Sequence, residues 1–153
     1  MYLNEKTSEV LNDLIRINND RIEGYEKAAN ETDVKDVDLQ VIFRQMSAES
    51  RSYVNDLSGY VATSGTEVEN DTTLRGKIYR AWMDVKATFT GKDRKGILAS
   101  CEFGEDAAQR AYDTALSSDA ELPADVRQLI MDQKSSLKKS HDRIKALRDK
   151  QPA

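Results

Sequence analysis

Six side chains in this 153-residue chain have the type and spacing to do chemistry: Glu23, Glu26, Glu49, Glu102, Glu105 and His141. Each lies on or beside the apolar stripe of a helix-like segment, where a bundle ordinarily places hydrocarbon. A buried carboxylate is costly unless a cation or hydrogen bonds compensate it. Carboxylates from several helices, with an imidazole, are the donor set from which helical bundles build carboxylate-bridged di-metal sites. In that reading Glu49 bridges with Glu102 or Glu105, while Glu23 or Glu26 and His141 are terminal ligands. The cofactor it implies is iron or another divalent metal. In the competing reading the same residues are solvated or structural. Glu23 and Glu26 then pair with Lys27 or Arg16, and His141 bonds a backbone carbonyl or a carboxylate. A Glu-x-x-His pair is absent: Ser52 stands three residues after Glu49, and Lys138 three before His141. No catalytic residue is assigned.

These side chains must be positioned by helices. Apolar residues recur at helical spacing in four long stretches, about 7–30, 35–61, 93–118 and 124–148. The stripes include Leu11, Leu14/Ile15 and Tyr25; Leu39, Ile42/Phe43, Met46 and Tyr53; Ile97/Leu98, Cys101 and Tyr112; and Val126, Leu129/Ile130, Leu137 and Ile144. Two of them are interrupted where an apolar residue is due, by Glu49-Ser50 and by Gly104-Glu105. Aspartates in Asp33-Val-Lys-Asp-Val-Asp38, and Asp93, suit helix starts, and Pro123 suits a first helical position. A shorter amphipathic piece at about 75–90 carries Ile78, Tyr79, Trp82, Met83 and Phe89.

No segment alternates as a strand would. The expected fold is all-α: one domain over 1–153, a ferritin-like four-helix bundle with a long crossover carrying a short extra helix between helices two and three. The roughly 30 residues between helices two and three far exceed a hairpin loop. They can return the chain along the ~35 Å of a helix. At ~1.5 Å per residue, His141, Glu23 and Glu102 fall ~10–14 Å from one end, and Glu49 and Glu105 near ~20 Å.

Composition narrows the partners. Net charge is -4, which argues against a dedicated nucleic-acid binder. Residues 1–71 carry 15 acidic and 7 basic side chains, whereas 75–95 carry 2 and 7. The basic stretch is read as lying across an acidic surface of this molecule or of a second copy, or else as an anion-binding strip. No apolar run approaches the roughly 20 residues of a membrane span. The first residues lack a basic-then-apolar signal, and one cysteine fits a reducing compartment, so a cytoplasmic location is expected. The single histidine excludes a site needing two from one chain. Cys101 reads as a small core residue. The Trp82 face either packs on the bundle or forms a homodimer or partner contact.

The wording of three segments resembles a known family. They are Leu11-Asn-Asp-Leu-Ile-Arg-Ile-Asn-Asn-Asp-Arg-Ile-Glu-Gly-Tyr-Glu-Lys-Ala-Ala29, Gly76-Lys-Ile-Tyr-Arg-Ala-Trp-Met-Asp-Val-Lys-Ala-Thr-Phe-Thr-Gly91 and Cys101-Glu-Phe-Gly-Glu-Asp-Ala-Ala108. They look like the first helix, the crossover and the third helix of a bacterial family of unknown function placed among ferritin-like bundles. The resemblance implies a fold related to rubrerythrins and ferritins, with some relatives associated with stress responses. It implies that Glu23 or Glu26, Glu49, and Glu102 or Glu105 stand for the glutamates of helices one to three, and His141 for the ligand of helix four. Rubredoxin-type Cys-x-x-Cys pairs are missing, so electrons cannot arrive by that route.

Overall fold

The computed structural model describes residues 4–32, 35–63 and 94–151. They form four helices: α1 (Glu5–Glu31), α2 (Val37–Thr63), α3 (Arg94–Ser117) and α4 (Ala124–Asp149). No strand occurs among the described residues. The short helix expected at 75–90, with Trp82 and the Asp93 cap, lies outside them.

Local chemistry sets the helix ends. Asn4 caps α1, its Oδ1 accepting from the Thr7 backbone N–H at 2.8 Å and from the Thr7 hydroxyl at 2.9 Å. The Thr7 hydroxyl also meets the Glu121 carbonyl, and Lys6 pairs with Asp119 at 2.8 Å, so the start of α1 is stitched to the α3–α4 turn. Thr32 ends α1 by returning its hydroxyl to the Ala28 carbonyl at 2.6 Å. At the start of α2, Leu39 and Gln40 N–H groups reach the Asp36 carbonyl. Pro123 sits at the N-cap of α4, one residue earlier than expected; its φ of -54° suits either place, and its carbonyl accepts from Arg127 N–H at 2.9 Å.

The helical stripes become the core. Leu11, Leu14, Ile15 and Tyr25 of α1 pack with Leu39, Phe43, Met46 and Leu57 of α2, Leu98, Cys101 and Tyr112 of α3, and Val126, Ile130, Leu137 and Ile144 of α4. Each fully buried aliphatic or aromatic side chain contributes about 1.5–3 kcal/mol of transfer free energy.

Helix α1 packs against α2 and α3, and α4 against α3 and α2. Side-chain bonds fix the directions. Asn18 meets Tyr112 and Arg21 meets Glu105, so α1 and α3 run antiparallel. Glu49 meets Ser140, and Gln133 reaches the Tyr53 carbonyl, so α2 and α4 do too. Arg94, which opens α3, holds Asp36 and Asp38 at the start of α2 at 3.0 and 2.8 Å. Helices α2 and α3 therefore begin at the same end, and Thr63 and Arg94 stand at opposite ends. This is the single long crossover expected from the chain length between them.

Candidate functional site

The centre of the bundle is polar. Arg21 falls on the apolar stripe of α1, between Asn18 and Tyr25, and is fully buried. Its guanidinium has five N–H donors, and the surroundings meet them all. Nε donates to Glu105 Oε1 at 2.6 Å; Nη1 donates to Ser50 Oγ at 2.7 Å and to the Met46 carbonyl at 3.1 Å. Nη2 donates to Glu49 Oε1 at 3.0 Å and to Glu105 Oε2 at 3.3 Å, with Met46 Sδ at 3.4 Å. The Tyr25 ring stacks under it, 5.0 Å from ring centroid to guanidinium carbon.

The network continues through all four helices. Ser50 donates to Asn18 Oδ1 at 2.9 Å, and Asn18 Nδ2 donates to Tyr112 Oη at 2.8 Å and to the Leu14 carbonyl at 2.9 Å. Tyr112 donates to Gln133 Oε1 at 2.7 Å. On the other side Ser140 donates to Glu49 Oε1 at 2.9 Å. Burial acts against the Arg21 charge, but Glu105, Tyr25 and Glu49 together outweigh it and the guanidinium keeps its proton at any accessible pH. Burial pushes the Glu105 carboxyl above its usual range, and Arg21 pulls it back only in part. Two of the sequence candidates, Glu49 and Glu105, thus converge at one level, and they converge on a guanidinium. Their oxygens are matched to an arginine fork, and the donor set as it stands does not fit a carboxylate-bridged pair of ions.

A second cluster lies on the flank between α3 and α4. Glu102 and Asp106 are four apart on α3 and share a face; His141 approaches from α4. One ligand atom from each lies within 4.8 Å of the others. His141 Nε2 is 2.5 Å from Asp106 Oδ1, and Nδ1 is 3.0 Å from Asp142 Oδ1. Glu102 is 8% exposed. Its Oε2 forms an ion pair with Arg148 but receives no aligned hydrogen bond. Arg148 is one-third exposed and also pairs with Asp149 at 3.0 Å. Burial lowers the proton affinity of His141, while hydrogen bonds to Asp142 and Asp106 raise it by more, so its pKa stands above 6.5.

The other candidates are placed elsewhere. Glu23 lies on the exposed face of α1. Glu26 pairs with Arg51 and accepts from Ser47 Oγ at 3.3 Å, while Lys27 pairs with Glu31 and Arg16 with Asp13. The buried Cys101 thiol is pushed up by burial first and by Glu105 second. Asp106, Arg21, Asn18, Gln133 and Ser140 were not among the sequence candidates. The signal for Arg21 was its place in the i, i+3, i+4 row of Leu14, Asn18 and Tyr25. Gln133 and Ser140 likewise fall between Ile130, Leu137 and Ile144.

Residues 6–118 match the family model of a domain of unknown function, DUF2383, and the chain belongs to that family. No curated protein matches it. The matched region holds Arg21, Glu49, Glu102, Glu105 and Asp106, and ends before α4 and His141.

Proposed function

We propose that this DUF2383 protein is a ferritin-like bundle of the cytoplasm with a structural, stress-linked role, and that it performs no di-metal redox chemistry. The observation that carries the reading is Arg21. A fixed cation stands where two ions would have to be bridged, and it takes up one oxygen of Glu49 and both oxygens of Glu105. The stress link and the ferritin-like kinship rest on the resemblance of the three sequence segments. The buried thiol of Cys101 is consistent with a reducing compartment. Protein purified without chelator is expected to hold iron, manganese and zinc well below one ion per chain. Added ferrous ion should oxidise in air no faster than in buffer. Stoichiometric iron that disappears in Glu49→Ala and Glu105→Ala would overturn the reading. Pairing of two copies through the Trp82 segment belongs to the same reading; equal mass by light scattering for wild type and Trp82→Ala removes it.

A second reading, that the protein holds one divalent cation, is favoured by the flank cluster. Glu102, Asp106 and His141 offer two carboxylate oxygens and an imidazole nitrogen, a set that suits zinc or manganese. Asp142 on Nδ1 would fix the tautomer that presents Nε2 to an ion. Their ligand atoms lie within 4.8 Å of one another and must settle about 3.4 Å apart around a tetrahedral ion. His141 Nε2 must therefore draw back from Asp106 Oδ1, 2.5 Å away, and Arg148 must release Glu102 and keep Asp149. Calorimetric titration with zinc should then give one site per chain, lost in His141→Gln and tightened in Arg148→Ala. No difference between these variants and wild type leaves the cluster as a salt link alone.

A further inference from the structure

We infer that the Arg21 guanidinium fills a cation seat of the bundle centre, one that takes a hard divalent cation when the arginine side chain is removed. The inference rests on the reading of the centre given above and goes one step beyond it. The seat is made by oxygens from two helices that surround one buried guanidinium. Glu105 offers both carboxylate oxygens, Glu49 one, Ser50 a hydroxyl, and Met46 a backbone carbonyl, all between 2.6 and 3.3 Å from the guanidinium nitrogens. Four or five oxygen donors with two formal negative charges are what manganese, magnesium and calcium require. The seat is pre-organised, because Ser140 orients Glu49 and Asn18 orients Ser50. Shortening Arg21 removes the positive charge and the volume it occupies while leaving the oxygens aimed at the gap. Two carboxylates facing each other without a cation repel one another and are poorly solvated. Glu49, whose side chain is 29% exposed, provides the path by which an ion can reach the gap from water.

The test uses the full-length chain carrying His141→Gln throughout, so that the flank cluster contributes nothing. Thermal unfolding is followed with and without manganese for the parent, Arg21→Ala, Arg21→Met and Arg21→Ala/Glu49→Gln/Glu105→Gln. With manganese a hundredfold above its Kd, the Arg21 variants should rise by about 5–10 °C in Tm. The parent and the triple variant should not move. Bound manganese should lose its free-ion EPR signal in the Arg21 variants only. If a variant is unfolded without metal, folding on addition of manganese, read by circular dichroism, is the expected result. The inference is overturned if neither Arg21 variant responds, if the parent responds equally, or if the triple variant keeps the response. Response of the parent overturns the inference together with the proposed function on which it rests, whereas the other two outcomes overturn the inference alone, so the failures are distinguishable.

Discussion

Arg21 Nε lies 2.6 Å from Glu105 Oε1, and neither side chain reaches water. The two residues come from α1 and α3, 84 positions apart. The pair cannot be relieved by solvent, so its partners have to be satisfied by the protein or not at all. That makes the bundle centre sensitive to single changes and tolerant of matched ones.

Arg21→Ala, without added metal, should lose about 3–5 kcal/mol of unfolding free energy, because it strands the Glu105 charge in the core. Arg21→Met combined with Glu105→Leu should recover most of that loss, since Glu49 alone can still reach water. Urea unfolding of the three proteins measures both effects. Equal stability of the single variant and wild type would mean that the ion pair is not buried as described.

Tyr112→Phe removes the hydroxyl that accepts from Asn18 and donates to Gln133. It should cost about 1–3 kcal/mol, the range for leaving buried polar groups without partners. Asn18 keeps its bond to the Leu14 carbonyl, so the lower half of that range is expected. The urea midpoint should fall with an unchanged slope.

His141 ties stability to pH. Its folded pKa is raised above the unfolded value of about 6.5, so its charged form contributes most below that value. The contribution is lost as pH rises through the folded pKa. Wild type should therefore exceed His141→Gln in stability at about pH 5.5, and the gap should close by about pH 9. The groups that face the ring are Asp106, Asp142 and the nearby Glu102, with Lys138 behind Asp142. A constant gap across this range would remove His141 as the cause.

Cys101 is buried with its thiol pKa raised, so the reactive thiolate is scarce. A thiol reagent at pH 8 should label the native protein only at the rate of its unfolding. Fast labelling would show that α3 opens locally around Cys101.

The helices were legible because apolar residues at three- and four-residue spacing leave few alternatives in a chain with 7 glycines and 2 prolines. The crossover was legible from chain length alone. The centre was half legible. Glu49-Ser50 and Gly104-Glu105 broke their stripes visibly, and counting rise per residue put Glu49 and Glu105 at one height. What they meet there was not visible. Arginine is so common on solvated faces that the place of Arg21 in the stripe of α1 passes without notice, and a stripe does not say which cation answers a buried carboxylate. The pairing of Glu26 with Arg51, not with Arg16 or Lys27, came from the α1–α2 packing, which places residues 25 positions apart side by side. Asp106 escaped notice because its role depends on the azimuth of α4, which periodicity leaves free.

The Arg21 cluster draws on both sides of the crossover. Cut the chain between Thr63 and Arg94, and the first fragment keeps Arg21 with Glu49, while the second carries Glu105 with no counter-charge. The second hairpin cannot mature alone without a stranded carboxylate at its heart. The two halves are thereby bound into one cooperative folding event, completed only when the last-made segments dock on the first.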